Sequence, residues 1–138
     1  MYMKLKKGTF KHIESELYAY EDTKKEIEQI REEILHRTPM IDNPEGRANT
    51  PSDPTATTAT LLMTHRRLDQ LERIAKAIDQ IYQELPDDKK KLIKLKYWTK
   101  PQTKTWEGIA QEINISRRQA LRWRNEIVFA IADAIGWR

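Results

Sequence analysis

The sequence predicts an all-α protein: a long antiparallel helical hairpin, then a three-helix unit that ends in a helix-turn-helix. Three observations carry this. Only 4 glycines occur among 138 residues, and β-branched residues nowhere alternate with polar ones as a half-buried strand requires. Apolar residues recur instead at three- and four-residue spacing over residues 10–37 and 54–84. Charged residues are 33% and hydrophobic ones 38%, which suits long helices with a narrow seam better than one compact globule.

The first stripe is Phe10, Ile13, Leu17, Tyr20, Ile27 and Ile34, interrupted where Lys24 and Arg31 take apolar slots and broadened by Ile30 and Leu35. Glu21-Asp22, Lys24-Lys25 and Glu32-Glu33 cover the other faces. One helix over 10–37 is expected, roughly 40 Å long at 1.5 Å per residue. Residues 38–53 (TPMIDNPEGRANTPSD), with prolines at 39, 44 and 51, make a connecting loop. Gly46-Arg47 is too short a signal for a phosphate cradle. Ser52 or Asp53 can then cap a helix whose first residue is Pro54, where the missing N–H costs nothing. That helix runs to about Glu84 along Leu61, Thr64, Leu68, Leu71, Ala75, Ile78 and Tyr82. Residues 1–85 are therefore read as the hairpin. Each stripe is wider than one partner covers, so a homo-oligomer through residues 10–85 is expected.

Leu85-Pro86 stops the second helix, because the residue before proline avoids helical angles. Residues 86–138 are read as the second domain. Asp87 and Asp88 open a short helix with acids at its positive end, and lysines 89, 90, 91, 94 and 96 surround Leu92, Ile93, Leu95, Tyr97 and Trp98. All four tryptophans lie in this part, adding large burial to a small core.

The stretch TWEGIAQEINISRRQALRWRNEIVFAIADAIG (105–136) carries the function. Thr105 caps a helix bearing Trp106, Ile109, Ala110 and Ile113 on one side. Asn114-Ile115-Ser116 is a turn: Asn tolerates a left-handed backbone, Ile115 tucks inward and Ser116 caps the second helix. On that helix Ala120, Ile127, Val128, Ile131 and Ile135 gather on one side, and Arg118, Gln119 and Arg122 on the other. Arg and Gln are the side chains that pair two-pronged with guanine and adenine. Arg124 falls on the apolar side, with two outlets: a phosphate at the domain edge, or an acid such as Glu107 or Glu112. Trp123 is read as a partly buried anchor in preference to a base-stacking group. The expected DNA-contacting set is Arg117, Arg118, Gln119, Arg122, Arg124 and Asn125, with Ser116 and Thr105 at the caps and Lys90, Lys94 and Lys104 nearby.

Charge agrees with that placement. Residues 1–70 hold 11 Lys/Arg and 12 Asp/Glu, residues 71–138 hold 14 and 9, and Lys89 to Arg124 holds 11 basic residues against Glu107 and Glu112. Such a focused field suits a polyanion. There is no cysteine, hence no disulfide or thiolate metal site. No apolar run approaches the ~18 residues of a membrane span, and Met1-Tyr2-Met3-Lys4 lacks the apolar region of a signal peptide, so an intracellular, cytoplasmic location is expected. His12, His36 and His65 are scattered without ligand spacing, and Asp87-Asp88 and Glu32-Glu33 are read as helix-start charge and solvated face in preference to metal-binding pairs. No enzyme activity and no cofactor are expected.

At these residues the chain resembles known families. LPDDKKKLIKLKYW followed by TWEGIAQEINISRRQALRW (85–124) is similar to region 4 of bacterial sigma factors. The whole chain resembles the RinA/ArpU-type phage late-transcription activators, on TPSDPTA (50–56), THRRLDQLERI (64–74), KYWTKPQTKTWEGIA (96–110) and SRRQALRWRNEIVFAIADAIGW (116–137). That resemblance implies activation of phage or prophage late genes by binding double-stranded DNA near their promoters, with host RNA polymerase as a further partner, and no catalysis. It maps the recognition helix onto Arg117, Arg118, Gln119, Arg122 and Arg124. The rival expectation is a small terminase subunit, which joins the same kind of motif to an oligomerising hairpin for genome packaging.

Overall fold

The computed structural model describes residues 5–37 and 54–137, and every regular element among them is an α-helix. In chain order these are α1 (Lys7–Tyr18), α2 (Tyr20–Arg37), α3 (Pro54–Glu84), α4 (Asp87–Tyr97), α5 (Trp106–Ile113) and α6 (Arg117–Ile135). The fold class is all-α. The loop over 38–53, with the caps assigned to Ser52 and Asp53, lies outside the described residues.

The single helix expected over 10–37 is two helices. α1 ends at Ala19, whose φ of −88° and ψ of 1° depart from helical values while its N–H still donates to the Ser15 carbonyl at 3.0 Å. No proline or glycine marks the break. The apolar spacing of Leu17, Tyr20 and Ile27 continues across it.

The chain divides into two compact units, Met1–Glu21 with Ile74–Arg138, and Asp22–Arg73. The division does not fall at 85/86. Ile13, Leu17 and Tyr20, with Ile74, Ala77 and Ile78 of α3, share one core with Leu92, Ile93 and Tyr97 of α4, Ile109 and Ala110 of α5, and Ile127, Val128, Ile131 and Ile135 of α6. The reason is surface-to-volume: about 50 residues bury too small a fraction of their surface to stand securely alone. α1 and the last turns of α3 enlarge that core.

Aromatic groups tie this first unit together. The Trp98 indole N–H donates to the Leu17 carbonyl at 3.0 Å, and its ring stacks on Tyr20 with centroids 5.0 Å apart. Tyr97 is buried and its hydroxyl donates to a Glu14 carboxylate oxygen at 2.7 Å. Burial first, then the Glu14 acceptor, pushes the Tyr97 pKa well above the usual phenol value. Tyr20 donates to Asp79 at 3.4 Å, and burial followed by the Asp79 charge raises its pKa to about 12. Phe10 meets Phe129 edge-on at 6.3 Å, and His12 stacks on Trp137 at 4.5 Å.

The second unit has a lighter interior, formed by Ile27, Ile30, Leu68 and the buried Thr23. Arg67 Nε donates to Glu26 at 3.0 Å, and Arg31 pairs with Glu72, which joins α2 to α3. These side chains are largely exposed, so each pair contributes only about 0–1 kcal/mol. Leu35, Leu62 and Met63 are 69%, 56% and 71% exposed. Among the described residues, no helix is long and apolar enough to cross a membrane.

Candidate nucleic-acid interface

The surface is built on α5, the turn after it, and α6. Thr105 Oγ1 accepts the Gly108 N–H at 3.1 Å, which satisfies a donor that the start of α5 leaves free. α5 ends at Asn114, in the left-handed region at φ 61° and ψ 43°. There the Asn114 N–H donates to the Gln111 carbonyl at 3.2 Å, and the Ile115 N–H donates to the Ala110 carbonyl at 3.0 Å. This is the paired closure that a left-handed residue after a helix allows. Ile115 packs against the core, and Ser116 Oγ accepts the Gln119 N–H at 3.0 Å to start α6. Three residues therefore end one helix, anchor the turn and cap the next. With each hydroxyl oxygen accepting from backbone, the O–H of Thr105 and of Ser116 remains a donor for an anion.

The turn sets the rotation of α6. Ala120, Ile127, Val128, Ile131, Ala132 and Ile135 are buried. Arg118 and Arg122, one turn apart, lie on the opposite side and are exposed, Gln119 is half-buried, and Arg117 is exposed at the first turn. Asn125 and Phe129 prolong the Arg118–Arg122 row at the same helical phase. Among the described residues, no acid pairs with Arg117, Arg118 or Arg122.

Arg124 falls on the apolar side of α6, as its helical phase predicts, and is hydrogen-bonded to Asn125. The Arg124 guanidinium lies 5.1 Å from the Phe10 ring centroid and 5.5 Å from that of Trp106, and its Nε and Nη2 donate to Asn125 Oδ1 at 3.1 and 3.0 Å. Of the two outlets assigned to Arg124, the acid is not taken: it pairs with neither Glu107 nor Glu112, and rests instead between the rings of Phe10 and Trp106. Half-buried, it links α6 to α1 and α5, and its hydrogen bonds occupy the Asn125 side-chain oxygen. Trp123 is partly buried against the core.

The lysines also sort by partner. Lys104 pairs with Glu112, while the Lys104 N–H donates to Gln102 Oε1 at 2.8 Å. Gln102 in turn donates to the Leu95 carbonyl at 2.7 Å and to the Lys96 carbonyl, closing the end of α4. Lys90 Nζ lies 5.4 Å from the Tyr82 ring, and Lys96 Nζ 5.1 Å from that of Trp106. Lys89 Nζ is 5.5 Å from the Trp123 ring and 3.4 Å from Glu126. Lys91 and Lys94 share the exposed side of α4, away from Leu92, Ile93 and Tyr97, with no such contact. Lys91 belongs to the run of lysines over 89–96 that the sequence assigns to phosphates. Of the basic residues between 89 and 124, those without a partner among the described residues are Lys91, Lys94, Arg117, Arg118 and Arg122. No group of three or more His, Asp or Glu side chains among the described residues is placed to hold a metal ion.

A family model described as "Protein of unknown function (DUF722)" matches residues 8–133, from α1 to near the end of α6. The chain belongs to that family. No curated protein and no solved structure matches it.

Proposed function

We propose that this protein binds double-stranded DNA sequence-selectively through α5 and α6, used as a helix-turn-helix of the sigma region-4 kind, and that it activates phage or prophage late transcription. The observation that carries the DNA reading is the row of unpaired arginines on α6, held opposite its buried seam by a turn with both flanking caps made. Arg118 and Arg122 enter the major groove and read base edges, with Gln119 beside them. Arg117, the hydroxyls of Ser116 and Thr105, and Lys91 with Lys94 hold phosphates and fix the register. The activation step, with host RNA polymerase as partner, rests on the resemblance of the chain to late-transcription activators. Self-association belongs to the same proposal, now confined to the middle of the chain. Ile13, Leu17, Tyr20, Ile74, Ala77 and Ile78 are used up in the first unit's core, whereas Leu35, Leu62 and Met63 are free to meet another copy.

The test is selection of bound duplexes from a random pool with the full chain, followed by a promoter fusion carrying the selected site. A defined site should emerge, and Arg118→Ala or Arg122→Ala should lose about 1–3 kcal/mol on it with relaxed preference at one position. A pool that never enriches refutes sequence-selective binding. An enriched site that leaves the fusion silent refutes activation alone.

A further inference from the structure

The proposed DNA contacts all lie beyond residue 90, yet the start of the chain is also strongly basic. Lys4, Lys6, Lys7 and Lys11 precede the first acid, Glu14. Lys6, Lys7 and Lys11 are exposed, and among the described residues none of them meets a carboxylate. Their placement follows from the aromatic contact between α1 and α6. Phe10 packs edge-on against Phe129, and its ring also carries the Arg124 guanidinium at 5.1 Å. Arg118, Arg122, Asn125 and Phe129 are spaced i, i+4, i+7 and i+11, so they form one row along α6. α1 therefore meets α6 where the row of DNA-reading arginines runs out, about 16 Å from Arg118 at 1.5 Å per residue. On α1, Lys7 and Lys11 stand one turn apart with Phe10 between them, and Lys6 precedes the first turn.

We propose that Lys6, Lys7 and Lys11 form a second phosphate-holding element of the DNA interface, gripping the duplex backbone beyond the bases reached by Arg118 and Arg122. The inference rests on the DNA reading above and adds the N-terminal helix to the footprint. Lysine suits such a role, since its ammonium is a compact charge on a flexible stem, which neutralises phosphate without discriminating among bases. The element supplies affinity and orientation, and no sequence information.

Binding of the full chain to its selected duplex, measured over a range of salt concentrations, tests this. Each phosphate neutralised on duplex DNA contributes about −0.9 to the slope of log K against log salt. The K6A/K7A/K11A variant should bind less tightly, with a slope shallower by about 2.7. Its preference for the selected over a scrambled duplex should match wild type, and its helical circular dichroism should be unchanged. K6R/K7R/K11R should restore the wild-type slope, whereas Arg118→Ala should lose preference. A wild-type slope in the alanine variant overturns the proposal and leaves the DNA reading standing. Absence of duplex binding by wild type overturns both.

Discussion

Leu17 sits in α1, far in sequence from the proposed DNA-binding helices, yet its side chain has 0% exposure and lies in their core. Leu17→Ala removes three carbons from that core. At about 0.8 kcal/mol per buried methylene, transfer alone costs about 2.4 kcal/mol. The cavity left behind brings the expected loss to about 2–5 kcal/mol. Against a typical domain stability of about 5–15 kcal/mol, that is a large fraction, and a lowering of the melting temperature by about 8 °C or more follows. Urea unfolding followed by tryptophan fluorescence is the right assay, because Trp98, Trp106, Trp123 and Trp137 all belong to the first unit. Leu35→Ala, at a side chain 69% exposed, should change stability by less than about 0.5 kcal/mol. If Leu17→Ala left the fluorescence transition within about 1 kcal/mol of wild type, α1 would not be part of this core. Residues 86–138 would then stand as an independent domain, as the sequence alone suggests.

Asn114→Ala should cost about 1–2 kcal/mol, since a Cβ-bearing residue without a local hydrogen-bonding side chain resists the left-handed region, and Asn114→Gly should cost little. Equal melting temperatures for the two variants would remove the turn's strain argument. Stability should also fall at alkaline pH. The folded pKa values of Tyr97 and Tyr20 lie above the unfolded value near 10, so the folded state keeps protons that the unfolded state releases. Their contribution is therefore complete below pH ~10 and declines above it, by up to about 1.4 kcal/mol per pH unit for each group. Tyr97→Phe should flatten the stability profile above that pH, and a profile as steep as wild type's would contradict the buried-phenol account.

The motif from Thr105 to Gly136 was legible because its signals are local. A cap, a left-handed residue and a second cap act within a few residues of themselves, and helical phase separates Ala120 and Ile127 from Arg118 and Arg122 without tertiary information. Pro54 and Pro86 marked helix starts for the same reason. The break at Ala19 was not legible, since no residue there disfavours a helix. The division of the chain was hidden more deeply. Phe10, Ile13 and Leu17 show the spacing of a seam, but spacing does not name the partner, and contacts such as Trp98 with Leu17 span 81 residues. Arg124 shows the same limit at one side chain: its phase placed it on the apolar side, but one of the two rings it rests on, Phe10, is brought in by α1.

The order of the two units along the chain has an evolutionary consequence. Asp22–Arg73 is an uninterrupted insertion between the two parts of the other unit, entered along α2 and left along α3. On the side of the host unit, the hydrogen bond from Tyr20 to Asp79 holds the exit and re-entry helices together beside Trp98. Length can therefore be added to or deleted from the insertion in matched helical turns without altering the contacts that orient α6. A lineage is free to lengthen, shorten or exchange the segment between Asp22 and Arg73, and with it whatever that segment engages, while the arginine row stays fixed.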